Sequence, residues 1–282
     1  MTIPADVFTP FEAEVTAVTT ADGSRLHALC AGNGRTVVLA HGYGVTHAEW
    51  DRLANRLLSK GRRVVVFDQR GHGASTVGRD GIDSSVMSSD YRAVLEHFDA
   101  RNAVLVGHSM GGFLALRFML DHPEVVATRL SHAMIVASLA GNVFEGSLQN
   151  RLQIPMIRSG LLARMLGVRP IARAFCRSLA GDEWTDVMMQ HFIPTFRATD
   201  HRRLWPILQD MGVEDLCPRL SALDVPCTIV LGEQDKTTPP QHGREMARRI
   251  RGAELISVPG ARHCLNIEAA DLLTERLLAL SE

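Results

Sequence analysis

Residues Ala103 to Val106 form an apolar run of strand length that meets Gly107-His108-Ser109-Met110-Gly111. Phe113, Leu114, Leu116 and Leu120 then recur at helical spacing until Asp121-His122-Pro123 stops the helix. A strand, a one-residue turn and a helix in that order leave Ser109 at the apex of a cramped backbone. The glycines two before and two after it let neighbouring chain pass close without a Cβ clash. The unit belongs to an α/β protein, and it makes Ser109 a candidate nucleophile.

The rest of the chain repeats this alternation. Glu12 to Thr19 and Arg25 to Cys30 read as two strands around Ala21-Asp22-Gly23-Ser24, a hairpin signal. Thr36 to Ala40, Arg63 to Asp68, Ala133 to Ser138, Cys227 to Leu231 and Glu254 to Val258 read as further strands. Between them, Thr46-x-x-Glu49 has a capping-box pattern opening a helix with Trp50, Leu53, Ala54 and Leu57 on one face. Met87, Tyr91, Val94 and Leu95 mark a second helix, and Gln241 to Arg251 a basic one. Asn266 is placed to cap a last helix bearing Ile267, Leu273 and Leu277. Strands alternating with helices predict a mostly parallel central sheet with helices on both faces.

The alternation breaks once, over residues 141–219. No convincing strand occurs there, and Pro155, Pro170, Pro194, Pro206 and Pro218 divide an apolar stretch into several short helices. This segment reads as a helical lid inserted into a core made of residues 1–140 and 220–282.

A chain of 282 residues suits one large α/β domain carrying such an insertion. Its 30 basic and 31 acidic residues nearly cancel, so no field is built for nucleic acid. Five scattered cysteines without a Cys-x-x-Cys pair suggest thiols in a reducing compartment. Met1 to Asp6 carry neither a basic nor an apolar region, and no apolar run reaches the length of a membrane span. The expectation is a soluble cytoplasmic protein. No His/Cys/Asp/Glu group has metal-ligand spacing, and Gly32-x-Gly34 and Gly71-x-Gly73 lack the full phosphate-binding pattern. Neither a metal nor a cofactor is therefore expected. The nine arginines from Arg151 to Arg203 read as a solvated face.

A serine hydroxyl is a weak nucleophile until an adjacent base takes its proton, and that base works best when a carboxylate orients it. Among the 12 histidines, His263 follows a strand and precedes the last helix, at the sheet edge where ligands bind. Asp235 likewise follows the strand Thr228-Ile-Val-Leu-Gly, with Glu233 as the competing carboxylate. His41 and His108 flank the site and read as packing or hydrogen-bonding residues, and His72 as one that shapes a tight turn. The order Ser109, Asp235, His263 is that of the α/β-hydrolases. The chain resembles that superfamily, in its esterase/lipase type, over nearly its whole length. The likeness rests on His41-Gly-Tyr-Gly, Asp68-Gln-Arg-Gly-His-Gly-Ala-Ser, Gly107-His-Ser-Met-Gly-Gly, Gly232-Glu-Gln-Asp and Gly260-Ala-Arg-His.

That resemblance implies an oxyanion hole from the backbone N–H groups of Tyr43 and Met110. The start of the elbow helix, where Met110 falls, is a suitable place for one. It also implies a carboxylic-ester hydrolase that works through an acyl-enzyme. The same parts serve thioesters, lactones and C–C bonds next to a carbonyl, and cofactor-free haloperoxidase-like enzymes look alike in these motifs. A serine at the elbow argues against members that use a carboxylate nucleophile. A non-enzymatic receptor on this fold would be expected to lack one of the three residues. Met156, Met165, Met188, Met189 and Met211, in the inserted segment, are candidates for an adaptable apolar pocket.

Overall fold

The computed structural model describes residues 7–280, which contain one sheet with strand order β1-β2-β4-β3-β5-β6-β7-β8. The strands are β1 (Glu14–Thr19), β2 (Arg25–Ala31), β3 (Thr36–Ala40), β4 (Arg63–Phe67), β5 (Ala103–His108), β6 (Leu130–Val136), β7 (Cys227–Gly232) and β8 (Glu254–Val258). β2 is antiparallel to both β1 and β4, and every later pairing is parallel. β4 lies on one side of β3 and β5 on the other. The loops leaving β3 and β5 therefore diverge at the carboxyl edge and open a crevice there.

The valine-rich runs are buried on both faces because the sheet is covered twice. Val37, Leu39, Val64, Val66, Val104 and Val106 pack with α1 (Asp51–Ser59) and α12 (Ala270–Ala279) through Leu53, Leu57, Leu273 and Leu277. The alternate residues Val38, Ala40, Val65, Phe67 and Leu105 pack on the other face. There they meet Tyr91 and Val94 of α2 (Ser84–His97) and Phe113 and Leu114 of α3 (Met110–Asp121). α4 (Pro123–Arg129) leads into β6, and α10 (Pro240–Arg249) connects β7 to β8. No helix among the described residues is long and apolar enough to cross a membrane.

Between β6 and β7 run α5 (Leu148–Arg158), α6 (Leu161–Met165), α7 (Arg169–Ala180), α8 (Thr185–Ala198) and α9 (Trp205–Val213). The two ends of this helical layer are pinned together where it leaves the sheet. Gly141 bridges Asp215, Leu216 N–H donates to Ala140 O at 2.7 Å, and Val143 N–H to Met211 O at 2.8 Å. Two of the expected breaks are absent: Pro155 and Pro194 lie inside α5 and α8. Each costs its helix one backbone bond, which the burial of Ile154 and Ile157, and of Ile193 and Phe196, offsets. Pro170 and Pro206 sit in first turns, where no bond is lost.

Two expected caps also fail. The Thr46 side chain makes no cap bond, and a 3-10 turn over His47–Trp50 leads into α1. Asn266 lies inside α11 (Leu265–Glu268) and donates to Glu49 O at 2.7 Å. For Asn266 a long-range partner took the side chain that a local cap would have used.

Candidate active site

Ser109 ends β5 with φ 53° and ψ −119°, a conformation that a residue with a Cβ adopts only under constraint. The constraint is visible. Its N–H donates to Val136 O at 3.0 Å, and its carbonyl accepts from Gly112 N, Phe113 N and Ser138 Oγ. The flanking glycines are sterically required, since a Cβ on Gly107 would lie 2.5 Å from Gly111 O and one on Gly111 would overlap the Ala40 carbonyl.

Ser109, Asp235 and His263 come together as the sequence predicts. His263 Nε2 lies 3.1 Å from Ser109 Oγ, and His263 Nδ1 lies 2.8 Å from Asp235 Oδ2. Asp235 also accepts from Thr237 N–H, Thr238 N–H and Thr238 Oγ at 2.7, 2.9 and 2.7 Å. Burial alone would raise its carboxyl, but His263 and Thr238 outweigh that and leave it below the ordinary value. An ionised Asp235 keeps the proton of His263 on Nδ1, and Nε2 is then free to accept from the Ser109 hydroxyl. Glu233 is exposed and takes a bond from Ser257 Oγ instead.

Neither the Tyr43 nor the Met110 backbone N–H meets an acceptor among the described residues. Tyr43 and Ser109 line a cavity of about 110 Å³ at the crevice. Its walls are apolar, chiefly Ile154, Ile157, Phe175, Phe196 and Leu208 from the helical layer. Hydrogen bonds tie that layer to each loop of the site. Leu179 O accepts from His263 N–H, Asn150 Nδ2 donates to Thr237 O, and Tyr43 OH pairs with His201 Nδ1 at 3.0 Å.

The sequence profile of the alpha/beta hydrolase family matches residues 37–276. This chain is an alpha/beta hydrolase. It is 27% identical over 285 residues to a non-heme haloperoxidase of Rhodococcus erythropolis, covering 94% of this chain and 98% of that one. It is also 27% identical over 260 residues to a bifunctional esterase/perhydrolase of Acinetobacter calcoaceticus, covering 85% and 88%. An esterase structure from Exiguobacterium antarcticum superposes with a TM-score of 0.80 at 23% identity, over 94% and 98% of the two chains, and so shares the fold.

Glu49 escapes sequence reasoning, and it is the partner of His108, which the sequence places beside the site as a packing or hydrogen-bonding residue. Glu49, hidden in an apparent capping box, accepts from Gly42 N–H at 3.0 Å and faces His108 Nδ1 with both oxygens at 3.2 Å. His108 Nε2 faces the His263 carbonyl at 3.0 Å. Both ring nitrogens thus face acceptors, so Glu49 and His108 hold one proton more than a carboxylate and a neutral imidazole. Burial would lower the His108 pKa, but the charge and hydrogen bond of Glu49, with the His263 carbonyl, raise it. The pair ties the β3 loop, the elbow and the His263 loop into one unit.

The methionines fare differently from expectation. Met211 lines the cavity beside Ser109, whereas Met156, Met165, Met188 and Met189 do not. Met156 and Met189 pack against the core and so fill gaps between helices, while Met188 is buried in the core and lines a second cavity that adjoins the first. His27, His47 and Asp68, far apart in the chain, place one possible ligand atom each within 4.8 Å, a grouping that spacing could not reveal. The Asp68 oxygens are already used, since Oδ1 accepts from the His47 backbone and ring and Oδ2 from Ala74 N–H. His41 and His72 are buried and bonded to loop backbone. Burial, the leading cause in both, lowers the two pKa values, that of His72 to about 3.

Proposed function

We propose that this alpha/beta hydrolase cleaves carboxylic esters of apolar character through an acyl-enzyme on Ser109. The observation that carries the reading is the unbroken hydrogen-bonded series Ser109–His263–Asp235 opening into an apolar cavity. His263 Nε2 takes the Ser109 proton as Oγ attacks the ester carbonyl. The Tyr43 and Met110 N–H groups, which meet no acceptor among the described residues, stabilise the oxyanion. Collapse breaks the bond to the alcohol, which leaves with the proton from His263. Water then attacks the acyl-enzyme with His263 again as base, releasing the acid and restoring Ser109. The helical layer serves as the lid that excludes bulk water.

The likeness to a bifunctional esterase/perhydrolase supports a second outcome for the same intermediate. Hydrogen peroxide in place of water would yield a peracid and free Ser109, with no change in the protein groups used.

Turnover of p-nitrophenyl acetate tests the reading. Ser109→Ala and His263→Ala lower kcat by roughly 10⁴-fold or more, and the double variant is little worse because the two act as a unit. Asp235→Asn costs on the order of several hundred-fold or more. A folded Ser109→Ala variant turning over at the wild-type rate would overturn the assignment.

A further inference from the structure

A second cavity, of about 340 Å³, adjoins the one at Ser109 and shares Val45, Glu49, Phe192 and Cys264 with it. Cys264 directly follows His263, so a group in this chamber lies beside the reacting centre. Phe8, Met188 and Ile267 give it an apolar character, and Phe8 stacks on His191 at its wall with ring centroids 4.4 Å apart.

Asp51 also lines this chamber. It is 4% exposed, and among the described residues its carboxylate has no hydrogen-bond or ion-pair partner. A buried carboxylate without a partner is costly. Burial pushes the Asp51 pKa up to about 6, even with the charge of His47 acting in the opposite direction. No lysine or arginine among the described residues lines the chamber, and the neighbouring carboxylate of Glu49 is taken up by Gly42 and His108. Among the described residues none that lines the chamber pairs with Asp51, which leaves the counterion's place open to a ligand.

We infer that the second chamber binds an ammonium-bearing arm of the substrate, with Asp51 as its counterion and the Phe192 ring as an apolar or cation–π wall. The inference rests on the esterase reading for the place of the scissile bond, though not for the binding itself. A hydroxyl would fill one hydrogen bond of Asp51 and leave its charge uncompensated, whereas an ammonium fills both needs. The chamber would also repel an anionic arm, because the Asp51 carboxylate stands unpaired in its wall.

Isothermal titration of the Ser109→Ala protein with hexylamine, hexan-1-ol and hexanoate separates these cases without needing turnover. Hexylammonium should bind about tenfold or more tightly than hexanol, as expected for an ion pair away from solvent, and hexanoate most weakly. Asp51→Asn should abolish the advantage of the amine and leave hexanol affinity nearly unchanged. If Asp51→Asn fails to fold, Asp51→Ser makes the same comparison. Equal binding of amine and alcohol to the starting protein, or an amine advantage that survives loss of the carboxylate, overturns the inference. Ester turnover that persists after such a result leaves the esterase reading intact. An amine advantage in a protein without ester turnover supports the chamber and removes only the reaction.

Discussion

Presenting the Ser109 hydroxyl to the cavity costs a backbone conformation worth about 1–3 kcal/mol of strain, held by four hydrogen bonds and two glycines. The Glu49–His108 pair beneath it fixes where His263 stands. His108→Gln keeps one donor and removes the charge, and it should lower kcat by about 10- to 100-fold with little change in KM, by misplacing His263. Its stability has a distinct signature. The folded pKa of His108 is raised, so the stabilisation from its charge is complete below the ordinary value of 6.5 and is lost as pH rises through the folded value. The stability difference between wild type and His108→Gln should therefore shrink from pH 6 to pH 9 in denaturant titrations. A difference that stays constant would show that His108 carries no extra proton. Ser109, Asp235 and His263 were legible because each follows a strand at the sheet's carboxyl edge. The Glu49–His108 pair was not, since its members are 59 residues apart and each sits in a local pattern with a simpler meaning.

At the scale of elements, the apolar cavity exists only where the helical layer meets the core, because half of its lining residues come from α5, α7, α8 and α9. A p-nitrophenyl ester series from acetate to octanoate should gain roughly fourfold in kcat/KM per methylene, about 0.8 kcal/mol each, until the space is filled. The cavity's small volume places the plateau early, and a hemisuccinate ester should be slower than its apolar counterparts. A profile flat from the first member, or a faster hemisuccinate, would contradict the apolar wall. The sheet was readable because a strand covered on both faces shows as an uninterrupted β-branched run, as in Val64-Val65-Val66. The helical layer was readable as an insertion but not in detail. Pro155 and Pro194 mimic helix ends in sequence, and tertiary burial carries the helices through them. Whether a methionine faces the cavity or a neighbouring helix depends on helix orientation, which spacing alone does not set.

Across the whole molecule, the antiparallel end of the sheet is joined to the rest through a buried ion triad. Arg70 donates to Asp22 at 2.5 Å and to Asp90 at 2.7 Å, with its side chain 1% exposed. Arg70→Ala leaves two buried carboxyls unpaired and should cost about 3–5 kcal/mol in chemical denaturation. Arg173→Ala, which breaks an exposed pair with Asp186, should cost under about 1 kcal/mol. Equal costs would mean that the triad is as dispensable as the surface pair. Fold, elbow and the hydrogen-bonded His263 and Asp235 converge on one oxygen, Ser109 Oγ. Fluorophosphonate labelling followed by peptide mass spectrometry reads it directly. The account predicts one adduct on Ser109, lost in Ser109→Ala and strongly slowed in His263→Ala. A folded protein left unlabelled, or labelled equally well after Ser109→Ala, would contradict it.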